Sequence, residues 1–209
     1  MRTVAILPVK SFGRAKQRLT GGYPDRPSLA AAMVADVLDA LDAVAELEGV
    51  IVVTAQAVSA RTDVDIVHDP AEAGQSAAAA LGIARAMARG FERVLLVPGD
   101  CPALDPAEVS ALLALRGDVV IVGDRHGTGT NALVLTPPGV MAPAFGEGSF
   151  ARHRRLASEA GASFVVGEAG SLELDVDTPD DLAALRHALA GRPGGAARTR
   201  ALLEDAAVA

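Results

Sequence analysis

The stretch Val4-Ala5-Ile6-Leu7-Pro8-Val9, continued by Lys10-Ser11-Phe12-Gly13-Arg14-Ala15-Lys16-Gln17-Arg18-Leu19, joins an apolar run to four cations within nine positions. The apolar part is too short for a secretory h-region or a membrane span, and Pro8 and Lys10 interrupt it. Its β-branched, non-alternating character is that of a strand covered on both faces. Both lysines of the chain, Lys10 and Lys16, fall in this segment, against 17 arginines in the whole sequence. With 43 alanines, that ratio resembles GC-rich coding that replaces lysine wherever arginine serves. The lysine pair then has two readings: chance, or a place where arginine does not serve.

Working outward, similar apolar runs recur at Val50–Thr54, Val64–His68, Val94–Pro98, Val119–Val122, Ala132–Leu135 and Phe164–Val166. Helical patterns lie between them. Ser28 is placed to cap a helix reaching Leu47, with Leu29, Met33, Val37, Leu38 and Leu41 on one face. Others are expected over Ser76–Arg89, Pro106–Leu115 with Asp105 as cap, Ser149–Ala160, and Thr178–Ala190 with Asp177 or Thr178 as cap. Strand–helix alternation predicts an α/β protein, a three-layer α/β/α sandwich around a mainly parallel sheet. Ligands of such sheets sit outside the carboxyl ends of the strands. The functional expectation therefore falls on Pro8 to Arg18, Thr54, His68 to Gln75 and Pro98 to Pro102.

Composition bounds the possibilities. A chain of 209 residues with 50% hydrophobic and 22% charged content can bury a sizeable core, and fits one domain over residues 1–190 with a tail or short helix over 191–209. A net charge of −7 argues against non-specific nucleic-acid binding, which needs clustered cations. No membrane segment is expected. The single thiol, Cys101, excludes a disulfide framework and a cysteine-based zinc site, and fits a reducing, cytoplasmic compartment.

Four segments carry candidate chemistry. The cationic segment after the first strand suits a triphosphate, although neither a Walker sequence nor Gly-x-Gly-x-x-Gly is present; a solvated basic loop is the alternative. In Val97-Pro98-Gly99-Asp100-Cys101-Pro102 a carboxylate directly follows an apolar strand, as a magnesium–phosphate site requires, or else sits in an ordinary Asp turn. Asp175 and Asp177, two apart on one face of an extended segment, either converge on the same metal or serve the helix cap. Gly127-Thr128-Gly129-Thr130-Asn131 and Phe145-Gly146-Glu147-Gly148-Ser149-Phe150 offer anion-binding nests, or glycine turns with Ser149 as N-cap. The helix beyond carries Arg152, His153, Arg154 and Arg155, some of which are expected to reach a small acidic substrate. His68, His126, His153 and His187 lack metal-ligand spacing, and no nucleophile–base set is apparent.

Taken together, these segments resemble the nucleotidyltransferases with a nucleotide-diphospho-sugar transferase (GT-A-like) fold, the superfamily that includes molybdenum-cofactor guanylyltransferases. Most members open with a Gly-rich signature. Here Leu-Pro-Val-Lys is followed by Ala-Lys-x-Arg-Leu, a variant similar to the guanylyltransferases of coenzyme F420 biosynthesis, over residues 3–190. The resemblance implies GTP, Mg2+ and a small phosphorylated acid: phosphoenolpyruvate, 2-phospho-L-lactate or 3-phosphoglycerate. A GC-rich, actinobacterial-like composition favours phosphoenolpyruvate.

Carried over by position, the resemblance makes Lys10, Lys16 and Arg18 contacts of the GTP phosphates. Thr54 and the Gly74-Gln75-Ser76 turn would approach base and ribose, where many relatives read Gly-Leu-Asn. Asp100, with Asp175 and Asp177, would hold the metal; relatives often have Asp-Leu-Pro where this chain has Asp100-Cys101-Pro102. Thr130, Gly146 and Ser149 would hold the three-carbon acid. Lys16 and Asp100 are the implied catalytic pair. The transferase that consumes the product is the implied functional partner. The rivals are a molybdopterin-type acceptor, which the missing Gly-rich opening disfavours, and a non-catalytic nucleotide-binding domain, which the three aspartates disfavour.

Overall fold

The computed structural model describes every residue except 15, 17–18, 20–22, 57–63, 192–193 and 209, and only the backbone of Arg14 and residues 206–208. In chain order the strands are β1 (Thr3–Val9), β2 (Val50–Thr54), β3 (Val64–His68), β4 (Arg93–Leu96), β5 (Val119–Gly123), β6 (Thr130–Leu135) and β7 (Phe164–Val166). The helices are α1 (Arg26–Asp42), α2 (Gln75–Ala88), α3 (Pro106–Ala114), α4 (Ser149–Glu159), the short α5 (Gly170–Glu173), α6 (Pro179–Ala190) and α7 (Ala197–Val208). One 3-10 turn, Phe12–Arg14, follows β1. All seven expected apolar runs are strands.

The strands form one sheet in the order β3-β2-β1-β4-β6-β5-β7. Its ladders are parallel except where β6 runs against β4 and β5. The non-alternating apolar runs are explained by the two cores. Ala5, Leu7 and Val9 face α1, α3 and α5 on one side of the sheet. Val4 and Ile6 face α2 and α4 on the other. A third cluster joins Leu29 and Met33 of α1 to Leu182, Leu185 and Leu189 of α6 and to Leu203 of α7. The tail therefore folds back: Asp36 of α1 is buried and accepts the backbone N–H groups of Arg198 and Thr199 at the start of α7, at 3.1 and 2.8 Å. Among the described residues no helix is long and apolar enough to cross a membrane.

Several helix starts differ from expectation. Asp25, not Ser28, caps α1, accepting the Ser28 N–H at 3.1 Å, and the helix ends at Asp42 rather than Leu47. Gly148, in the left-handed region at φ 69°, precedes α4, so Ser149 is its first residue rather than its cap. Asp105 does cap α3, and Thr178 caps α6 in a reciprocal box with Asp181.

The helix α2 lies close on β1 because Gly82 has no side chain. A Cβ there would stand 2.3 Å from Ile6 Cγ2 and 3.2 Å from Val53 Cγ2, both in fully packed positions. Gly82→Val is expected to destabilise the fold by about 1–3 kcal/mol through overpacking, measured by urea denaturation. An unchanged midpoint would show that α2 can lift off β1 freely.

Candidate active site

At the carboxyl edge of β1, β2 and β4 the sheet opens into a cleft of about 760 Å³. Because β6 is antiparallel, its first residues, Thr130 and Asn131, lie on this same edge. A strand beginning thus joins strand ends on one rim. Lys10, Lys16, Gly74, Gln75, Asp100, Thr130, Asp175 and Asp177 line the cleft.

The centre of the site is an ion pair. Lys16 follows the 3-10 turn with its backbone in the left-handed region, φ 56°. Its Nζ donates to Asp100 Oδ2 at 2.6 Å and to Asp177 Oδ1 at 3.1 Å, and the lysine side chain is only 6% exposed. Burial alone would lower its pKa. Attraction and hydrogen bonds from Asp100 and Asp177 outweigh that, and the net shift is upward, so the ammonium is held charged. The two acidic segments are also joined through the backbone, Val176 N–H donating to the Asp100 carbonyl at 3.1 Å.

Asp175 has a different environment. Its Oδ1 accepts Asn131 Nδ2 at 3.2 Å, and Asn131 also donates to the Leu172 carbonyl at 2.7 Å. Burial, then the Asp100 charge, raises the Asp175 pKa against the lowering effect of that hydrogen bond. Among the described residues no three His, Cys, Asp or Glu side chains form a ready metal cage. Asp100 and Asp177 nevertheless aim carboxylate oxygens at one point, the place held by the Lys16 ammonium. Two hard oxygens converging on a cation suit Mg2+, which takes one or two carboxylates and completes its shell with water and substrate phosphates. Cys101 next door is fully buried, and burial holds its thiol well above the usual range, so it is a packing residue.

Of the remaining expected residues, Lys10, Gly74, Gln75 and Thr130 line the cleft, whereas Thr54, Ser76, Gly146 and Ser149 are not among its lining residues. Lys10 is exposed at the cleft rim. Gly74 takes φ 111°, a value suited to glycine, at the start of α2. Thr54 is buried at the end of β2, and its hydroxyl accepts the Gln56 N–H at 3.3 Å. Ser76 accepts the Phe145 N–H at 2.8 Å, holding the segment before α4 against α2. Gly146 takes φ 111°, and the buried Ser149 donates its N–H to the Gly146 carbonyl at 3.0 Å. Arg18 lies outside the described residues.

Three residues lay within stretches the sequence pointed to but were given no individual place among the site residues: Glu72, Asn131 and His153. Glu72 accepts both the N–H and the hydroxyl of Ser11, at 2.7 and 2.8 Å, and so fixes the start of the lysine-bearing loop. Asn131 anchors Asp175. His153 is fully buried, its Nδ1 2.9 Å from Thr130 Oγ1 and its Nε2 accepting the Ala144 N–H at 2.8 Å. Burial, with a contribution from Arg152, lowers its pKa to about 4, leaving a neutral imidazole near pH 7. Asn131 was in view as the last residue of a glycine-rich segment. Glu72 and His153 carried no spacing signal.

A mostly parallel seven-stranded sheet with helices on both faces and a cleft at its carboxyl edge is a fold shared with nucleotidyltransferase structures. A Desulfovibrio desulfuricans G20 structure described as a "putative nucleotide-diphospho-sugar transferase" superposes with a TM-score of 0.75 at 17% identity, covering 98% of this chain and 95% of that one. The family model described as "Guanylyl transferase CofC like" matches residues 3–192. The chain belongs to this guanylyltransferase family. Its relatives include the phosphoenolpyruvate guanylyltransferase of Conexibacter woesei, 50% identical over 98% of this chain and 96% of that protein. The 3-phospho-D-glycerate guanylyltransferase of Phenylobacterium zucineum is 36% identical over 96% and 95%. The 2-phospho-L-lactate guanylyltransferase of Methanothermobacter thermautotrophicus is 37% identical over 87% and 83%.

A carboxyl with a raised pKa binds its proton more tightly in the folded state. Its favourable contribution lies at low pH and disappears as pH rises through the folded value. Asp175→Asn, which can still accept from Asn131, is therefore expected to raise the Tm at neutral pH, with the gain fading toward acid pH. Thermal melts across pH 3–8 (roughly the range spanning carboxylate titration) check this, and a lower Tm at neutral pH would contradict it.

Proposed function

We propose that this protein transfers GMP from GTP to the phosphate of phosphoenolpyruvate, with 2-phospho-L-lactate as the next candidate acceptor, releasing pyrophosphate in coenzyme F420 biosynthesis. The observation that carries the reading is the Lys16 ammonium held between Asp100 and Asp177 at the rim of a cleft large enough for a nucleotide and a small acid. Family membership supplies the guanylyl group. The 50% identity to a phosphoenolpyruvate guanylyltransferase supports the choice of acceptor.

The reaction is one in-line displacement. A phosphate oxygen of the acid forms a bond to the α-phosphorus of GTP, and the bond to the β-phosphate bridging oxygen breaks. Asp100 and Asp177 would hold Mg2+, with Asp175 beside them; the ion would neutralise phosphate charge and orient the triphosphate. Lys16, charged and already at the carboxylates, is placed to turn its ammonium toward the leaving pyrophosphate, and Lys10 at the rim adds a second cation. Gly74 and Gln75 open α2 at the cleft, where backbone N–H groups and the glycine's lack of a Cβ suit a close approach of nucleotide. Thr130 faces the same space for the acceptor. No general base is needed, since the attacking phosphate is already anionic.

Pyrophosphate release should require Mg2+ and GTP, with CTP a poor substitute, and should be fastest with phosphoenolpyruvate among the three acids. Asp100→Ala and Lys16→Ala are each expected to lower kcat by at least about a hundredfold, the scale of losing a charge stabiliser, while the circular dichroism spectrum is retained. Lys16→Arg should be strongly impaired, because a planar guanidinium fork does not replace a compact ammonium turned on the leaving pyrophosphate. Wild-type turnover in Lys16→Ala, or no release with any of the acids, would overturn the reading.

A further inference from the structure

The buried imidazole of His153 joins Thr130 of the cleft wall to the segment before α4. On one side, Ala144 N–H donates to Nε2 at 2.8 Å. A backbone amide cannot accept, so Nε2 carries its lone pair. A neutral imidazole then has its proton on Nδ1, 2.9 Å from Thr130 Oγ1. Nδ1–H therefore donates and the Thr130 hydroxyl accepts. That consumes one lone pair of Oγ1 and leaves the hydroxyl proton to be given elsewhere. Among the described residues no other hydrogen bond of that hydroxyl is formed, and Thr130 lines the cleft. The imidazole is kept in place by its position one turn into α4 beyond Ser149, and by the Phe145 ring packed edge-on at 5.2 Å between centroids.

We propose that His153 is a positioning residue of the acceptor subsite, whose Nδ1–H makes Thr130 a hydrogen-bond donor toward an anionic oxygen of the phosphorylated acid while its Nε2 anchors the segment entering Gly146. This rests on Thr130 facing the acceptor, as the proposed function has it. A hydroxyl whose acceptor capacity is partly used by its own support, and whose proton is free, selects ionised phosphate or carboxylate oxygens, which only accept. One ring thereby sets the two sides of the subsite, the start of β6 and the segment before α4. Ser76, accepting the Phe145 N–H, ties the same segment to the N-terminal turn of α2 on the nucleotide side.

The first measurement is 15N NMR of the unsubstituted protein near pH 7, which should show His153 protonated on Nδ1 and bare on Nε2; the opposite tautomer overturns the inference without any variant having to fold. The second is steady-state kinetics with GTP and phosphoenolpyruvate. His153→Gln places an amide oxygen where Nε2 was and removes the donor to Thr130. It should raise the KM for phosphoenolpyruvate about tenfold, the effect of one hydrogen bond to a charged group, and leave the KM for GTP within about twofold. His153→Asn, which keeps an N–H near the Nδ1 position, should recover most of that loss. Thr130→Val should raise the same KM, and adding His153→Gln to it should cost nothing further. If the two effects multiply, or if His153→Gln leaves the KM unchanged while Thr130→Val raises it, His153 does not act through Thr130 and the inference is wrong. If Thr130→Val itself leaves the KM unchanged, the assignment of Thr130 to the acceptor fails, and the inference falls with it. If phosphoenolpyruvate gives no turnover in the unsubstituted protein, it is the acceptor choice of the proposed function that fails, and the tautomer is still read by NMR.

Discussion

A charged amine almost wholly out of water is tolerated only when it is neutralised where it sits. Lys16 meets that demand with two carboxylates, and the demand sets how three distant segments must meet: the loop after β1, the end of β4 and the run before α6. The backbone reflects the same pressure. Lys16 adopts a left-handed conformation that costs an ordinary residue about 1–2 kcal/mol, a strain that persists only where the surroundings over-determine it. Those surroundings are identifiable. Leu19 and Val176 are fully buried behind the ion pair, and Val176 reaches across to the Asp100 carbonyl.

The arrangement also explains why composition was informative. Among the described residues, arginines serve surface and structural pairs, such as Arg85 and Arg89 on Asp65. A planar fork suits those partly exposed contacts. Between Asp100 and Asp177 the space admits a point charge at 2.6 and 3.1 Å, and there the chain keeps one of its two lysines. The other, Lys10, lines the same cleft.

The strands were legible because residues buried on both faces are apolar at successive positions, as in Val50–Val53 and Val119–Val122. That same uniformity hid the topology. With no alternation to mark a face, nothing distinguished β6 as antiparallel, so the placement of Thr130 and Asn131 on the ligand edge had to come from the structure. Local sterics account for the misplaced caps: Gly148 in a left-handed turn takes the position expected of Ser149, and Pro27 moves the start of α1 back to Asp25. The acidic residues Asp100, Asp175 and Asp177 were readable from chemistry and spacing. Glu72 and His153 were not, because their importance lies in long-range hydrogen bonds, to Ser11 61 positions away and to Thr130 23 positions away.

Docking of α7 against α1 has a consequence for how binding energy spreads through the molecule. Leu203 of α7 belongs to the same buried cluster as Leu19, three residues beyond Lys16, and Val176, next to Asp177. The Tyr23 hydroxyl, on the chain between Lys16 and α1, donates to the Leu202 carbonyl at 3.0 Å. The final helix thus backs the segments that carry the Lys16–Asp177 ion pair. Loosening α7 would therefore remove packing from the segments that carry Lys16 and Asp177 as well as from α1. Local opening of that helix thereby reaches the ion pair from the opposite end of the sequence.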